Sequence, residues 1–173
     1  MFPSIRPSRF SRILALSVLA IGMAATAHAT TIVKRSLDEL IREVDRIVVG
    51  EVVSVEQEWD LVPAGDGMLF TIADFRVDRQ LKGSDDVSHV TLRSPGGTMG
   101  ELKQHVYAAP VLDEQGRRMI LFLWDDNHEF LSNVAYWEMG QYRVLDDGLV
   151  ERTRFTEDEF VRHIESRAAA LVE

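Results

Sequence analysis

The chain contains no cysteine, and its basic residues are few. The lack of cysteine excludes a disulfide framework, Cys-ligated zinc, iron–sulfur clusters and a thiol nucleophile. Among 173 residues, 19 Lys and Arg stand against 28 Asp and Glu, which gives a net charge of −9. Phosphate backbones are bound by clustered cations, so we expect no nucleic-acid partner.

Long hydrophobic runs are also missing from the sequence. The longest, Ile13 to Ala25, has 13 residues, whereas a membrane-spanning helix needs roughly 20. It follows three arginines and precedes Ala27-His28-Ala29, which has small residues at the two positions that a signal peptidase inspects. This pattern predicts a signal peptide over 1–29 and favours it over a membrane anchor. We therefore expect 30–173 to be one periplasmic or secreted domain, without stable membrane insertion.

Two capping boxes mark the starts of helices. Ser36 with Glu39, and Thr156 with Glu159, each place a hydroxyl at the N-cap and a carboxylate three residues later. Apolar spacing predicts a short amphipathic helix over 37–45. The second helix follows Thr156, and its apolar stripe is expected to be buried: Phe160, Ile164, Ala168 and Leu171.

Between the helices the pattern predicts six or seven strands. Gly50 lies inside the first of them, where a strand commonly bulges or bends. The candidate strands are 47–55, 68–81, 89–93, 119–124, 130–137, 142–145 and 149–152, and a further possible strand surrounds Val106 and Tyr107. No βαβ alternation occurs, so the fold class is mainly β, an antiparallel barrel or sandwich with two flanking short helices. The C-terminal helix is expected to pack on the barrel.

Several short segments follow one another in a characteristic order: Leu40 to Val53, Leu81-Lys82-Gly83, Pro95-Gly96-Gly97, Met119 to Trp124, and Gly140-Gln141-Tyr142. In this order the chain resembles a small family of bacterial exported proteins of unknown function. Its first two strands are also similar to those of netrin-like domains, the module of the tissue inhibitors of metalloproteinases. That resemblance implies an antiparallel OB/netrin-like barrel. Those inhibitors chelate zinc through an N-terminal cysteine, so the resemblance does not extend to inhibition.

The candidate sites are weakly marked. Residues 94–101 form a glycine-rich loop, but Gly100 is followed by Glu101 rather than the Lys of a phosphate-binding loop. We attribute its glycines to backbone geometry, with φ above zero at Gly96 or Gly97. The loop can still rim a binding surface, so Pro95, Gly96 and Gly97 are binding candidates.

Metal ligands are the second type of candidate. Residues 125–129 crowd carboxylate, amide and imidazole groups, but their spacing does not match a calcium-binding EF-hand loop, and a solvated loop is the simpler interpretation. The histidines form no HxH, HxxH or HExxH pattern. A metal site would therefore need ligands from separate strands: His105 and His128 with Asp125 or Asp126.

No serine lies in a G-x-S-x-G nucleophile pattern, and no other catalytic constellation stands out. The sequence therefore favours an exported, non-catalytic binding or accessory module that receives a protein and carries no cofactor. An envelope or secreted protein is the expected partner. The alternative is an exported metal-dependent hydrolase, and a structural envelope protein without a small ligand is a third possibility.

Overall fold

The structure, a computed structural model, describes residues 34–61, 67–125 and 132–171. The predicted signal peptide lies outside these residues. Within them the chain is mainly β and its strands pair antiparallel, as the sequence predicts. The elements are α1 (Leu37–Glu43), β1 (Arg46–Leu61), β2 (Gly67–Lys82), β3 (His89–Pro95), β4 (Gly97–Met99), β5 (Leu102–Gln104), β6 (Arg118–Leu123), a 3-10 turn (Trp137–Gly140), β7 (Gln141–Arg143) and α2 (Glu157–Ala170).

The first helix begins at the predicted capping box. The Ser36 hydroxyl accepts from the Glu39 N–H, and the Glu39 carboxylate accepts from the Ser36 N–H. The helix ends at Glu43, two residues earlier than expected, because Val44 is already extended. The Lys82 ammonium donates to carbonyls of this last turn, at 2.8 Å from the Ile41 oxygen, and so satisfies acceptors that the helix leaves open.

The long strand β1 lies at the centre of the main sheet, whose order is β3-β2-β1-β6-β7. It pairs with β2 over Ile47–Leu61 and with β6 over Arg46–Glu51. Its register against β2 shifts at Gly50, as expected for a bulge. A Cβ atom at this glycine would collide with the backbone oxygen of Arg76, so only glycine allows the two strands to approach this closely.

Both faces of the sheet are covered at its centre. Val48 and Leu121 belong to an inner core with Phe75 and Leu92. The residues next to them in the chain point to the other face: Ile47, Val49, Ile120 and Phe122. There they form a second core, the helix-side core, with Leu40 of α1 and with Phe160 and Ile164 of α2. Burial on both faces explains why the start of β1 and the whole of β6 are continuous apolar runs rather than alternating ones.

The edges of this sheet are joined by side chains. In the described residues, edge strands β3 and β7 do not pair with each other, so no closed backbone ladder completes a barrel. Instead, the Asn133 amide accepts from the Arg93 N–H at 3.2 Å and donates to the Thr91 oxygen at 2.9 Å. Asn133 thus bonds the free edge of β3 as a backbone partner would.

A second amide does the same beside β7. Gln141 accepts from the Val111 N–H at 2.8 Å and donates to the Val111 oxygen at 2.7 Å. On the other side of this segment, the Ser94 hydroxyl of β3 donates to the Pro110 oxygen at 2.7 Å. The irregular segment 110–111 therefore connects β3 with β7.

Three of the predicted strands are not formed as expected in the described residues: the segment around Val106 and Tyr107, 130–137, and 149–152, where only Leu149 and Val150 form isolated bridges. The segment around Val106 and Tyr107 is irregular, and Ala108 adopts a positive φ of 58°. The glycine-rich loop predicted over 94–101 instead contains β4, which forms a hairpin with β5 directly after it. Short strands of three residues carry too little periodic signal to be distinguished from a loop by pattern alone.

The predicted strand 130–137 is also not formed as expected in its described part. Val134 makes a single bridge to Leu123, after which Tyr136 and Trp137 both have positive φ and start the 3-10 turn. The tight turn predicted at 146–148 is present, since Val144 bridges Val150 and the Gly148 N–H donates to the Leu145 oxygen.

Candidate functional site

A cleft of about 170 Å³ opens along the segment that connects β3 with β6. It is lined by 94–98, 103–106 and 109–113, together with Thr71 of β2. The cleft therefore contains the three binding candidates Pro95, Gly96 and Gly97, and it also contains His105. The structure brings these sequence candidates to one place, which we call the hairpin cleft.

Hydrogen bonds to the backbone fix the wall at Gly96. Its N–H donates to the Leu69 oxygen at 2.7 Å, and its oxygen accepts from the Thr71 hydroxyl at 2.9 Å. Its φ is +97°, and a Cβ atom would lie 2.9 Å from the Gln104 oxygen. The expectation that backbone geometry requires this glycine is confirmed. Because the amide of Gly96 is already bonded, it is not free to bind an anion.

Gly97 is constrained in the same way. Its φ is +140°, and a Cβ atom there would collide with the side-chain oxygen of Gln57 and approach the Thr71 hydroxyl. Gln57 and Thr71 are themselves hydrogen-bonded, with Nε2 to Oγ1 at 3.2 Å. The start of the hairpin is thus seated directly on β1 and β2.

Gln104 fixes the far side of the hairpin. Its side-chain oxygen accepts from the Leu69 N–H at 2.7 Å, so both backbone groups of Leu69 are bonded to the hairpin segment. Sequence analysis did not identify Gln57, Thr71 or Gln104 as positioning residues. No local pattern distinguishes an amide that pairs with a backbone from one that faces solvent.

Exposed apolar side chains occur on the segments that form the hairpin cleft. Val111 lines the cleft, and Met99, Leu102 and Tyr107 each follow or precede a lining residue in the chain. Tyr107 is 77% exposed, and Met99, Leu102 and Val111 are each more than 40% exposed. We call these four residues the apolar rim. The hydrogen bonds of Gly96, Gln104 and Val111 hold the segments on which Met99, Leu102 and Val111 lie.

The titratable side chains at the cleft do not form a catalytic group. Lys103, His105 and Asp113 line it, and all three are exposed. Within the part of the chain that the structure describes, His105 has neither a hydrogen bond nor an ion pair. A general base or nucleophile needs a partner within hydrogen-bond reach, and the cleft supplies none from these residues.

The metal candidates are only partly described. Asp126 and His128 lie outside the described residues. Asp125 accepts from Arg46 Nε at 3.0 Å and lines a second, more polar cleft of about 360 Å³, whereas His105 lines the hairpin cleft. Across 34–61, 67–125 and 132–171, no group of three His, Asp or Glu could hold a metal ion.

Arg93 lies on the same face of the sheet as Phe70 and Asp60 and contacts both. Its guanidinium lies 3.8 Å from the centre of the Phe70 ring and 2.7 Å from the Asp60 carboxylate. This contact keeps the pKa of Asp60 below its ordinary value, mainly through the hydrogen bond from Arg93. Asp60 is therefore an ionised carboxylate at the end of β1 whose charge is compensated by Arg93.

The fold and the cleft define the described chain as a mainly antiparallel β protein with a pinned hairpin beside its sheet. None of the helices in the described residues is long and apolar enough to cross a membrane. Comparison with known protein families gives no match, and a search of curated proteins gives no significant match either.

Proposed function

We propose that the protein is an exported, non-catalytic binding module that receives an envelope or secreted protein at the hairpin cleft. The apolar rim is the observation that carries this proposal. Exposed apolar side chains that lie together commonly mark interaction sites on soluble proteins. Here they lie on or next to the segments that line a concave surface, and hydrogen bonds fix the backbone of that surface at Gly96 and Val111, which lowers the entropy lost on binding.

The charge of the chain supports a protein partner over a polyanion. With a net charge of −9 and few basic residues, the protein repels nucleic acid. We propose that an apolar side chain of the partner enters the cleft beside Val111, and that the partner also contacts Leu102 and Tyr107, which adjoin the lining residues Lys103 and Val106 in the chain.

Export and ancestry belong to the same proposal. The signal-peptide pattern over 1–29 supports a periplasmic or secreted location, and detection of a mature chain that begins at Thr30 would test it. The OB/netrin-like relationship is supported by a long first strand with a bulge at Gly50 that pairs with strands on both sides.

The binding function is tested by affinity capture with the exported protein as bait. Partner recovery is compared among the wild type, Leu102→Ser and Tyr107→Ala. Truncation of a hot-spot side chain costs about 2 kcal/mol or more, so each change should lower the affinity for the partner by more than about tenfold and lower recovery accordingly. Leu145→Ser is the matched control, because Leu145 is 41% exposed against 44% for Leu102 but directly precedes the 146–148 turn and does not line the cleft.

Equal recovery by the rim variants and the control would contradict binding at this cleft. Recovery of no partner, together with turnover of a test substrate, would contradict the non-catalytic function itself. The metal-dependent hydrolase remains the alternative, with His105, Asp125, Asp126 and His128 as its residues. Elemental analysis of the purified protein checks it, since metal well below one equivalent would end that alternative.

A further inference from the structure

One edge of the main sheet has no strand beside it in the described residues. β1 pairs with β6 only as far as Glu51, and the Val52 backbone is bonded to the segment 116–117. From Ser54 to Leu61, β1 pairs with β2 alone. We call this stretch the open edge.

The direction of the backbone groups at the open edge follows from Leu69, which lies opposite Trp59. Both backbone groups of Leu69 are bonded on the side away from β1, to Gln104 and Gly96. In an antiparallel pair, opposed residues exchange both of their hydrogen bonds or neither. The N–H and C=O of Trp59 therefore point away from β2, into the open edge.

The same orientation recurs at every second residue, because the register from Ser54 to Leu61 has no further shift. Val55, Gln57 and Leu61 thus also direct their backbone groups outward. The Leu61 N–H is already bonded to the Asp60 carboxylate at 2.8 Å. With respect to the described residues, three donors and four acceptors remain unbonded in line along the edge, which is the pattern that an added strand requires.

The two faces of the open edge differ in chemistry. The side chains of Glu56, Glu58 and Asp60 lie on one face, and those of Gln57, Trp59 and Leu61 lie on the other. Trp59 is 50% exposed and Leu61 is 70% exposed. An added strand would therefore meet acids on one face and exposed apolar side chains on the other.

The acids are not equally available. Asp60 forms an ion pair with Arg93, whereas Glu56 and Glu58 are exposed and form no ion pair within 34–61, 67–125 and 132–171. Opposite charges on directly opposed strands stabilise pairing, and like charges oppose it. A second copy of this chain, paired antiparallel through the same edge, would place these glutamates against their counterparts. The charge pattern thus disfavours self-association and favours a basic strand.

We propose that the open edge binds an extended polypeptide segment in which Lys or Arg alternates with apolar or aromatic residues, added as a strand beside β1. The proposal rests on the proposed function in taking a protein as the partner. Backbone hydrogen bonds to Val55, Gln57 and Trp59 supply affinity, and the alternation of charge supplies specificity. The basic side chains lie beside Glu56 and Glu58, while the apolar ones contact Trp59 and Leu61.

The test uses the purified protein and two eight-residue peptides with blocked ends. In one, lysine alternates with valine and tyrosine; in the other, glutamate replaces lysine. The lysine peptide should bind at least about tenfold more tightly, as expected for reversal of several cross-strand charge pairs. On its addition, hydrogen exchange should slow at the amides of Val55, Gln57 and Trp59.

Charge reversal on the protein supplies the matched comparison. The double variant Glu56→Lys, Glu58→Lys should weaken binding of the lysine peptide about tenfold, because the attractive cross-strand charge pairs become repulsive. The control Asp86→Lys, Asp146→Lys changes the net charge equally at sites away from the open edge and should leave the affinity within about twofold. Circular dichroism of both variants verifies that they are folded.

Equal weakening in both double variants, or slowed exchange only outside 54–61, would overturn the proposal. So would a dimer of the free protein in which these amides are already protected. If a captured partner depends on Leu102 and Tyr107 but not on Glu56 and Glu58, the binding function stands and the open-edge proposal is wrong. If the lysine peptide binds at the edge and the rim variants do not change partner capture, the open-edge proposal stands and binding at the hairpin cleft is wrong.

Discussion

Single amide side chains determine how this molecule holds its irregular segments. Gln141 bonds both backbone groups of Val111, Asn133 bonds two residues of β3, and Gln104 bonds Leu69. An amide carries a donor and an acceptor at nearly the spacing of a peptide group, so it can replace a strand partner. Buried polar backbone groups that lose such a partner incur the full cost of desolvation.

Gln141→Ala should therefore lower the free energy of unfolding by about 1–3 kcal/mol, because the Val111 N–H and C=O would lose their partners. Gln141 is only 5% exposed, so water cannot readily replace the amide. Urea denaturation measures the change. Gln115→Ala, at an exposed turn residue, is the control and should stay within about 0.5 kcal/mol of the wild type.

If Gln141→Ala and Gln115→Ala have the same midpoint, the amide bond to Val111 does not hold this segment. At the residue scale the sequence predicts the glycines better than the amides. Positive φ at Gly96 and a bulge at Gly50 follow from turn and strand patterns. The role of Gln141 depends on a residue 30 positions away in the chain, and a local pattern contains no information about that contact.

The helices illustrate what local sequence can determine at the scale of elements. Both begin at their capping boxes, and Thr156 accepts from the Glu159 N–H as predicted. Of the predicted stripe on α2, Phe160 and Ile164 are buried, while Ala168 and Leu171 pack partly against the same core. The ring of Phe160 lies 4.9 Å from that of Tyr142, centre to centre, which fixes the helix against the sheet near β7.

Phe160→Ala should lower stability by about 3–5 kcal/mol, because the removed ring is 97% buried and would leave a cavity. Thr156→Ala removes one cap bond and should cost about 1 kcal/mol. Thermal and urea denaturation of both variants measure these values, and Arg162→Ala on the exposed face of the same helix is the control. An unchanged midpoint for Phe160→Ala would mean that α2 is not docked on the sheet.

The strands divide into predictable and unpredictable ones by length. β1, β2 and β6 are long apolar or alternating runs, and β2 and β6 form within one residue of their predicted bounds. β1 begins as predicted but continues to Leu61, six residues beyond the predicted 47–55. β4 and β5 have three residues each and depend on contacts with Gln57 and Thr71. Such elements form through tertiary contacts rather than through propensity, which is why the hairpin that shapes the candidate cleft was expected to be a loop.

At the scale of the whole molecule, acids outnumber bases, yet several carboxylates are held by arginine. Arg118 donates to Glu157 at 2.6 Å through two nitrogens and to Asp78 at 2.5 Å, and so joins β6, α2 and β2. Arg143 makes a similar pair with Glu151, at 2.8 and 2.6 Å. These contacts link strands and a helix around the helix-side core. Acids without such a pair in the described residues include Glu56 and Glu58 at the open edge.

This arrangement predicts that stability falls in acid. Hydrogen bonds from Arg118 and Arg143 are the main reason that the pKa values of Asp78 and Glu151 lie below their ordinary range. The unfolded chain binds these protons first, so the stabilisation is present above about pH 4–5 and is lost as the pH falls through the lower folded values. Glu151→Gln should make the decline between about pH 5 and 2 shallower, measured by urea denaturation at each pH. Asp146→Asn, whose carboxylate has no ion pair in the described residues, is the control, and identical slopes for the two variants would contradict a contribution from the Arg143–Glu151 pair.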